Sequence, residues 1–522
     1  MSISLTPHDY IRLCYRGIAA YADGLPIDLL RTVHIFTELD QEIARAVKRG
    51  SSVVLTGNPG DGKTHLLRVL EEGILKAQPS ALVEYDASEV DNSTIISKWK
   101  AADRKHAPFC IAINEAVLKQ LADENPTFDP VTNAQAQVEG ALSYYRDGES
   151  PPNSVDAGLQ VFDLSRRNVL STQIMRAVVD TFTKADHPGP CNNATNDFSV
   201  HAKLIGNTLF LERLQLLLER AARRGFHCTL RELQGLISYL LCRGLDCDAL
   251  AADSGNADRF ITELVFTGEG ALFDEIRRGF DPRTVCHPIW DVCLIGGQLD
   301  ADNWRGGDTE ILNACDVEDI REVERRRRRF YFFNDEGSSL LGISDDPDAL
   351  FDEFLKKKER DVLRQLIPYI NSAFRDSTSD DLRVWKCHRF DHSDERTLCS
   401  MSAVPRRNLE VLHPRLCMSM SRAYEYLPDH LVLQLKDEKG ARLVIDFEMF
   451  EFLRNTEFGM SILSLTNHVT RRLWRFMERL AASENEQDGE VDVRLLDLES
   501  GKVLHVVVDL DESQYVSVEG AR

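Results

Sequence analysis

The sequence predicts a doubly wound α/β core built on a parallel sheet, a helical lid after it, and a mixed α+β C-terminal region. Two observations carry that prediction. Between residues 50 and 180, four short apolar runs alternate with helical stretches, and near the C-terminus short alternating runs are broken by turn residues. The 522 residues are 43% hydrophobic and 28% charged, as expected of globular domains. Lys plus Arg number 62 against 84 Asp plus Glu, and the net charge of −22 excludes a uniformly basic nucleic-acid coat. The longest apolar runs, such as Leu236 to Cys242, fall well short of the ~20 residues that cross a bilayer. The N-terminus lacks the basic and apolar regions of an export signal, so a cytoplasmic chain with no membrane partner is expected. The twelve cysteines are scattered, which suits reduced, mostly buried thiols.

Residues 1–49 form an N-terminal helical segment, because Leu29, Leu30, Val33, Phe36, Leu39, Ile43 and Val47 recur at three- and four-residue steps. The core spans 50–180, with strands at Val53–Leu55, Leu82–Tyr85, Phe109–Ile113 and Leu159–Phe162. Asn, Asp, Pro, Gly and Ser run through Ala122–Val155 and predict exposed irregular chain there. Residues 181–250 read as the helical lid, 251–330 as a helical linker domain, and 331–522 as the mixed C-terminal domain. Two hairpins are expected in the last of these, His430–Lys436 with Ala441–Phe447 and Val491–Leu496 with Val503–Leu510, with an amphipathic helix at Thr470–Ala482 between them.

Gly57-Asn58-Pro59-Gly60-Asp61-Gly62-Lys63-Thr64 is a complete GxxxxGKT between an apolar strand and a helix opening at His65, which makes the core a P-loop NTPase core. Glycines let backbone N–H groups turn inward around phosphate, and the helix N-terminus adds its dipole. Lys63 is expected to neutralise the β- and γ-phosphates of ATP, and the Thr64 hydroxyl to ligate Mg²⁺. Phe109–Glu115 then reads as an apolar strand ending in a polar pair, with Glu115 placed to polarise the attacking water and Asn114 at the Mg²⁺ position. An amide there keeps an acceptor oxygen but loses the charge, so metal affinity or hydrolysis is expected to be weakened. Asp163-Leu164-Ser165-Arg166-Arg167-Asn168 ends the fourth strand; Asp163 or Asn168 could sense the γ-phosphate, and the arginines either reach a neighbour's site as fingers or cap local carboxylates. Thr229 is an N-cap with Glu232 at capping-box spacing, so Arg231 projects from the first turn of its helix, either toward nucleotide or into a surface pair with Glu232 or Glu219.

These motifs, in this order over residues 50–245, resemble an AAA+-like ATPase, in which a lid arginine placed like Arg231 reaches the γ-phosphate. More narrowly, GNPGDGKTH, IAINEA, DLSRRN, PCNNATN, TLRELQGLISYL and FDPRTVCHPIWDVCL are similar to the ATPase of DNA phosphorothioation-dependent restriction systems and related anti-phage operons. That resemblance implies an ATP-hydrolysing motor or switch in a bacterial DNA-directed defence complex, oligomeric, partnered by the operon's other subunits and reaching DNA chiefly through them. A nucleotide-gated regulatory switch that hydrolyses weakly, or an AAA+ replication loader, stays open beside it.

Two further clusters carry chemistry-bearing side chains. Arg325–Arg329 precedes the aromatic run Phe330–Phe333, and either grips nucleic acid through phosphate contacts and stacking or pairs with Glu318, Asp319, Glu322 and Glu324 along an amphipathic helix. Cys387, His388, His392 and Cys399 fit no standard zinc ligand spacing.

Overall fold

The fold is given by a computed structural model that describes residues 6–15, 24–147, 158–184, 197–246, 249, 260–285, 320–335, 337, 347–376, 379–389, 396–413, 418–436, 438–462, 468–482, 490–497, 500–509, 511 and 514–520. It divides into two compact units. The first holds Met1–Ala141, Pro151–Asp346 and the short segment Leu416–Leu427; the second holds the rest.

In the first unit, α1 (Pro7–Tyr15), α2 (Ile27–Thr32) and α3 (Glu38–Lys48) precede β1 (Ser52–Thr56). There follow α4 (Lys63–Ala77), β2 (Leu82–Glu84), α5 (Asn92–Arg104), β3 (Phe109–Ala112), α6 (Glu115–Glu124), α7 (Asp129–Asp147) and β4 (Leu159–Asp163). The four strands form one all-parallel sheet in the order β2-β3-β1-β4. Val54 of β1 faces Ile111 on β3 and Val161 on β4, which fixes the register at the centre. Side chains alternate across the sheet as the strand period requires. Val53 and Leu55 bury against Leu39 and Ile43 of α3 and Leu66 and Leu67 of α4 on one face, while Val54 and Ile111 bury against Trp99 of α5 and Leu118 of α6 on the other. Each such side chain contributes about 1.5–3 kcal/mol of transfer free energy, so both faces of the sheet need their helices.

The order also sets where a ligand fits. The chain leaving β1 crosses β3 to reach β2, whereas the chain leaving β3 crosses β1 to reach β4. These outgoing connections diverge at the carboxyl ends of β1 and β3, opening a crevice there.

One expectation is corrected. The stretch expected as irregular chain from Ala122 to Val155 contains the helix α7, whose Val131, Ala134 and Val138 are buried beside α6. Over its described side chains the apolar stripe is narrow, and polar residues such as Thr132, Asn133, Gln137 and Glu139 lie around it.

After β4 come α8 (Thr172–Phe182), α9 (Asp197–Ile205), α10 (Thr208–Arg223) and α11 (Leu230–Cys242). They share one core with α1 and with the helices Ile261–Thr267, Ala271–Phe280 and Ile320–Phe333. α11 opens with the expected capping box: Thr229 Oγ1 accepts from the Glu232 backbone N–H, and Glu232 Oε2 accepts from that of Thr229 at 2.8 Å.

The second unit is α+β. Its strands are β5 (Leu382–Arg389), β6 (Arg396–Val404), β7 (Leu409–Leu412), β8 (His430–Leu435), β9 (Glu438–Asp446), β10 (Glu490–Asp497), β11 (Val503–Asp509) and β12 (Gln514–Gly520). They make a five-stranded sheet, β12-β11-β10-β6-β5, and a three-stranded sheet, β7-β8-β9. Both expected hairpins are present as the antiparallel pairs β8–β9 and β10–β11, with the amphipathic helix His468–Ala482 between them. Among the described residues no helix is long and apolar enough to cross a membrane. Residues 190–196 (PCNNATN), 286–294 of the phrase FDPRTVCHPIWDVCL, His392, and the side chains of Cys387 and His388 lie outside the described residues.

Candidate functional site

A cleft of about 380 Å³ opens at the carboxyl edge of the parallel sheet. The loop Gly57–Gly62 leaves β1 with Gly57, Gly60 and Gly62 all at positive φ, the last at +86° as the N-cap of α4. Such backbone suits glycine. At Gly57 there is also no room for more: a Cβ would lie 2.6 Å from Asp61 Oδ2 and 3.0 Å from the Ser165 backbone nitrogen.

Lys63, buried at 9% exposure, donates from Nζ to the carbonyls of Gly57 at 2.9 Å and Asn58 at 2.8 Å. Burial lowers the pKa of this ammonium, and Arg231 adds to that, while Asp61, Asp86 and Asp163 pull it back up. The Thr64 hydroxyl donates to the Tyr85 carbonyl at 3.1 Å, which leaves its lone pairs available. Asp61 braces the loop by accepting from the Asn58 backbone N–H at 2.6 Å. His227 reaches the same loop, with Nε2 3.0 Å from Asn58 Nδ2 and 3.8 Å from Asp61 Oδ1, and its pKa is raised chiefly by Asp61. Pro59, Gly60, Asp61, Gly62, Lys63, Thr64 and His65 all line the cleft, whereas Gly57 and Asn58 shape the loop beneath it. His65 stacks on His34 with ring centroids 5.3 Å apart, and burial pushes its pKa down to about 3, so it is neutral at physiological pH.

The strand ends are less as expected. Asn114 lines the cleft, but Glu115 is solvent-exposed as the first residue of α6 and is not among the lining residues. A carboxylate does enter from the neighbouring strand. Asp86, two residues past β2, lines the cleft and is held by Ser88, whose backbone N–H and hydroxyl donate to Oδ1 at 2.8 and 2.6 Å. The signal for it in the sequence is weak, since β2 is only three residues long, although Ala81–Asp86 is itself an apolar-rich run ending in an acid.

Arg231 lines the cleft as expected, its backbone N–H donating to Gly60 O at 3.3 Å from the first turn of α11. Asn168 does not line it; its backbone N–H donates to the Tyr424 carbonyl at 2.8 Å. The arginines beside it are buried within their own chain. Arg166 Nε lies 3.0 Å from Asp163 Oδ2, and Arg167 sits between Glu425 and Thr37, so neither is presented outward as a finger for a neighbour.

No family model, curated protein or solved structure matches the chain. The reading of the site therefore rests on its own geometry.

Glu318, Asp319 and the side chains of Glu322 and Glu324, the acids expected to pair with the arginine run, lie outside the described residues, and two of its arginines are held by other groups. Arg328 is buried between Asp281, at 2.6 Å, and Glu263, and Arg329 is buried over the Phe260 ring. Phe330 to Phe333 are all buried in the helical core, so they present no faces for bases to stack on. No cluster of three or more metal-ligating side chains occurs among the described residues.

Proposed function

We propose that the protein binds ATP in this cleft and hydrolyses it, as the motor or switch subunit of a bacterial DNA-directed defence complex. The single observation that carries the nucleotide reading is Lys63: a buried ammonium on a positive-φ glycine loop, hydrogen-bonded among the described residues to two loop carbonyls that a phosphate could replace. The donor set also suits a magnesium nucleotide. The Thr64 hydroxyl oxygen and the Asp86 carboxylate are hard oxygen ligands on adjacent chain, since Thr64 already bonds the residue before Asp86. Mg²⁺ held there would neutralise charge on the β- and γ-phosphates. Within the chain, Lys63 and Arg231 would bind phosphate, and His34, Val33, Ile35 and Leu230 offer a less polar wall for the base. The defence role and its operon partners rest on the motif resemblance alone. With Arg328 and Arg329 committed to internal contacts, DNA is assigned to a partner subunit, and an oligomer is expected.

One observation favours a slow, switch-like ATPase over a fast motor. The carboxylates lining the cleft are Asp40, Asp61 and Asp86; the first is bound to His34 and Thr37 and the second to the loop. Asp86, held by Ser88 through Oδ1 alone, would then serve both cation and water through its other oxygen. The test is phosphate release by the full-length chain at saturating ATP and Mg²⁺, with and without DNA and partner subunits. Turnover slower than about 1 s⁻¹, the low end of common enzyme rates, is expected from the chain alone. Absence of both binding and turnover would refute the nucleotide reading.

A further inference from the structure

The segment 418–427 comes from the C-terminal half of the sequence, between β7 and β8, yet belongs to the first unit. Its helix Met418–Ala423 packs on α3, and Ala423 and Tyr424 are buried in the core that also holds β1 and α4. The Tyr424 hydroxyl accepts from the Asp163 backbone N–H at 2.8 Å, and its carbonyl accepts from that of Asn168 at the same distance. Tyr424 thus clamps both ends of the turn that leaves β4.

Glu425 extends the contact in a second direction. Its Oε2 lies 3.4 Å from Arg167 Nε, and Arg167 Nη2 donates to Thr37 Oγ1 at 2.7 Å. The Thr37 hydroxyl donates to Asp40 Oδ2 at 3.0 Å, Asp40 Oδ1 lies 2.7 Å from His34 Nε2, and His34 stacks on His65, next to Thr64. Four members of this chain, Arg167, Asp40, His34 and His65, line the cleft. Glu425 holds the link at φ +44°, an uncommon conformation for a residue other than glycine. Strain of that kind persists only where surrounding contacts enforce it. Burial raises its carboxyl to about 7, against the pull of the Arg167 guanidinium and with Asp40 and Glu38 adding to the rise.

We propose that Tyr424 and Glu425 are positioning residues of the nucleotide site, and that segment 418–427 is a strap whose docking and nucleotide binding reinforce one another. The proposal rests on the nucleotide reading above. In sequence the strap lies between β7 and β8, two adjacent strands of the three-stranded sheet. Coupling of this kind is reciprocal: what loosens the strap weakens nucleotide binding, and nucleotide steadies the strap.

Hydrogen exchange on the full-length protein, without nucleotide and with saturating ATP and Mg²⁺, tests this beside titration with a fluorescent N-methylanthraniloyl-ATP. ATP is expected to slow exchange across 418–427. Tyr424→Phe, which removes only the accepting hydroxyl, and Glu425→Gln, which keeps an acceptor but not the charge, should each weaken analogue binding at least about fivefold, the lower end of measured couplings. Full-strength binding by both variants, with exchange across 418–427 indifferent to bound ATP, would overturn the strap. If the wild type binds no analogue, the nucleotide reading fails instead. Exchange across 159–170 without ATP then decides the strap alone: faster in Tyr424→Phe if Tyr424 holds the exit of β4, unchanged if it does not.

Discussion

The exits of β2 and β3 present the same kind of sequence, an apolar run ending in polar residues, and they come to opposite ends. β3 is fully buried and continues into Asn114 and Glu115, yet Glu115 starts a helix and faces solvent. A carboxylate at that position is favoured by the helix dipole without any chemistry. β2 is short and half exposed, yet delivers Asp86 into the cleft beside Lys63. The lesson is that the quality of a strand does not say where its last side chain goes. That depends on the turn after it: at Glu115 a helix begins at once, whereas Asp86 itself caps a short turn, its carboxylate held by the Ser88 backbone N–H and hydroxyl.

The largest effect expected concerns the group both exits serve. Lys63→Ala should reduce ATP affinity by about a hundredfold or more, since it deletes a charge-assisted phosphate contact worth up to about 3 kcal/mol. Calorimetric affinity equal to wild type would detach both strand exits from any nucleotide. A smaller loss sharpens the contrast. Thr64→Val removes the bond to the Tyr85 carbonyl and an oxygen ligand on the β2 side, and should raise the Mg²⁺ concentration for half-maximal turnover about tenfold, the effect of one lost interaction of about 1.4 kcal/mol. An unchanged magnesium requirement would argue against the β2 side.

The smallest effect is electrostatic and lies on the loop itself. His227 has its pKa raised above 6.5, mainly by Asp61 and further by Glu232 and Asp163, against the opposing effect of burial. Its protonated form is thus favoured in the folded state. The stabilisation is complete below pH 6.5 and is lost as pH rises through the raised folded value. The unfolding midpoint of His227→Gln should therefore fall below wild type in mildly acidic buffer and converge with it in alkaline buffer. A gap that widens with pH would reverse the assignment.

Much of the glycine loop was legible because its geometry is in the backbone: glycines stand where the chain takes positive φ, at Gly57, Gly60 and Gly62. The capping box at Thr229 and the two C-terminal hairpins were legible for the same local reason. What was hidden is long-range. Nothing near Arg167 announces that Glu425, 258 residues away, is its partner, and nothing in five consecutive arginines says that Arg328 lies between Asp281 and Glu263. Helix α7 was hidden differently, since among its described side chains the buried apolar ones, Val131, Ala134 and Val138, are set among many polar ones and give too weak a period to outweigh turn-forming composition.

The most direct test of the account sets the two strand exits against each other in one assay. Steady-state ATP hydrolysis at saturating Mg²⁺ is measured for wild type, Asp86→Asn and Glu115→Gln, each first shown to fold by its unfolding midpoint. Asp86→Asn should lower turnover by about a hundredfold, as loss of a carboxylate acting on cation or water does. Glu115→Gln should stay within about twofold of wild type, as an exposed helix-terminal carboxylate does. The reverse pattern, turnover lost with Glu115 and kept without Asp86, would contradict the account and return the catalytic role to the exit of β3.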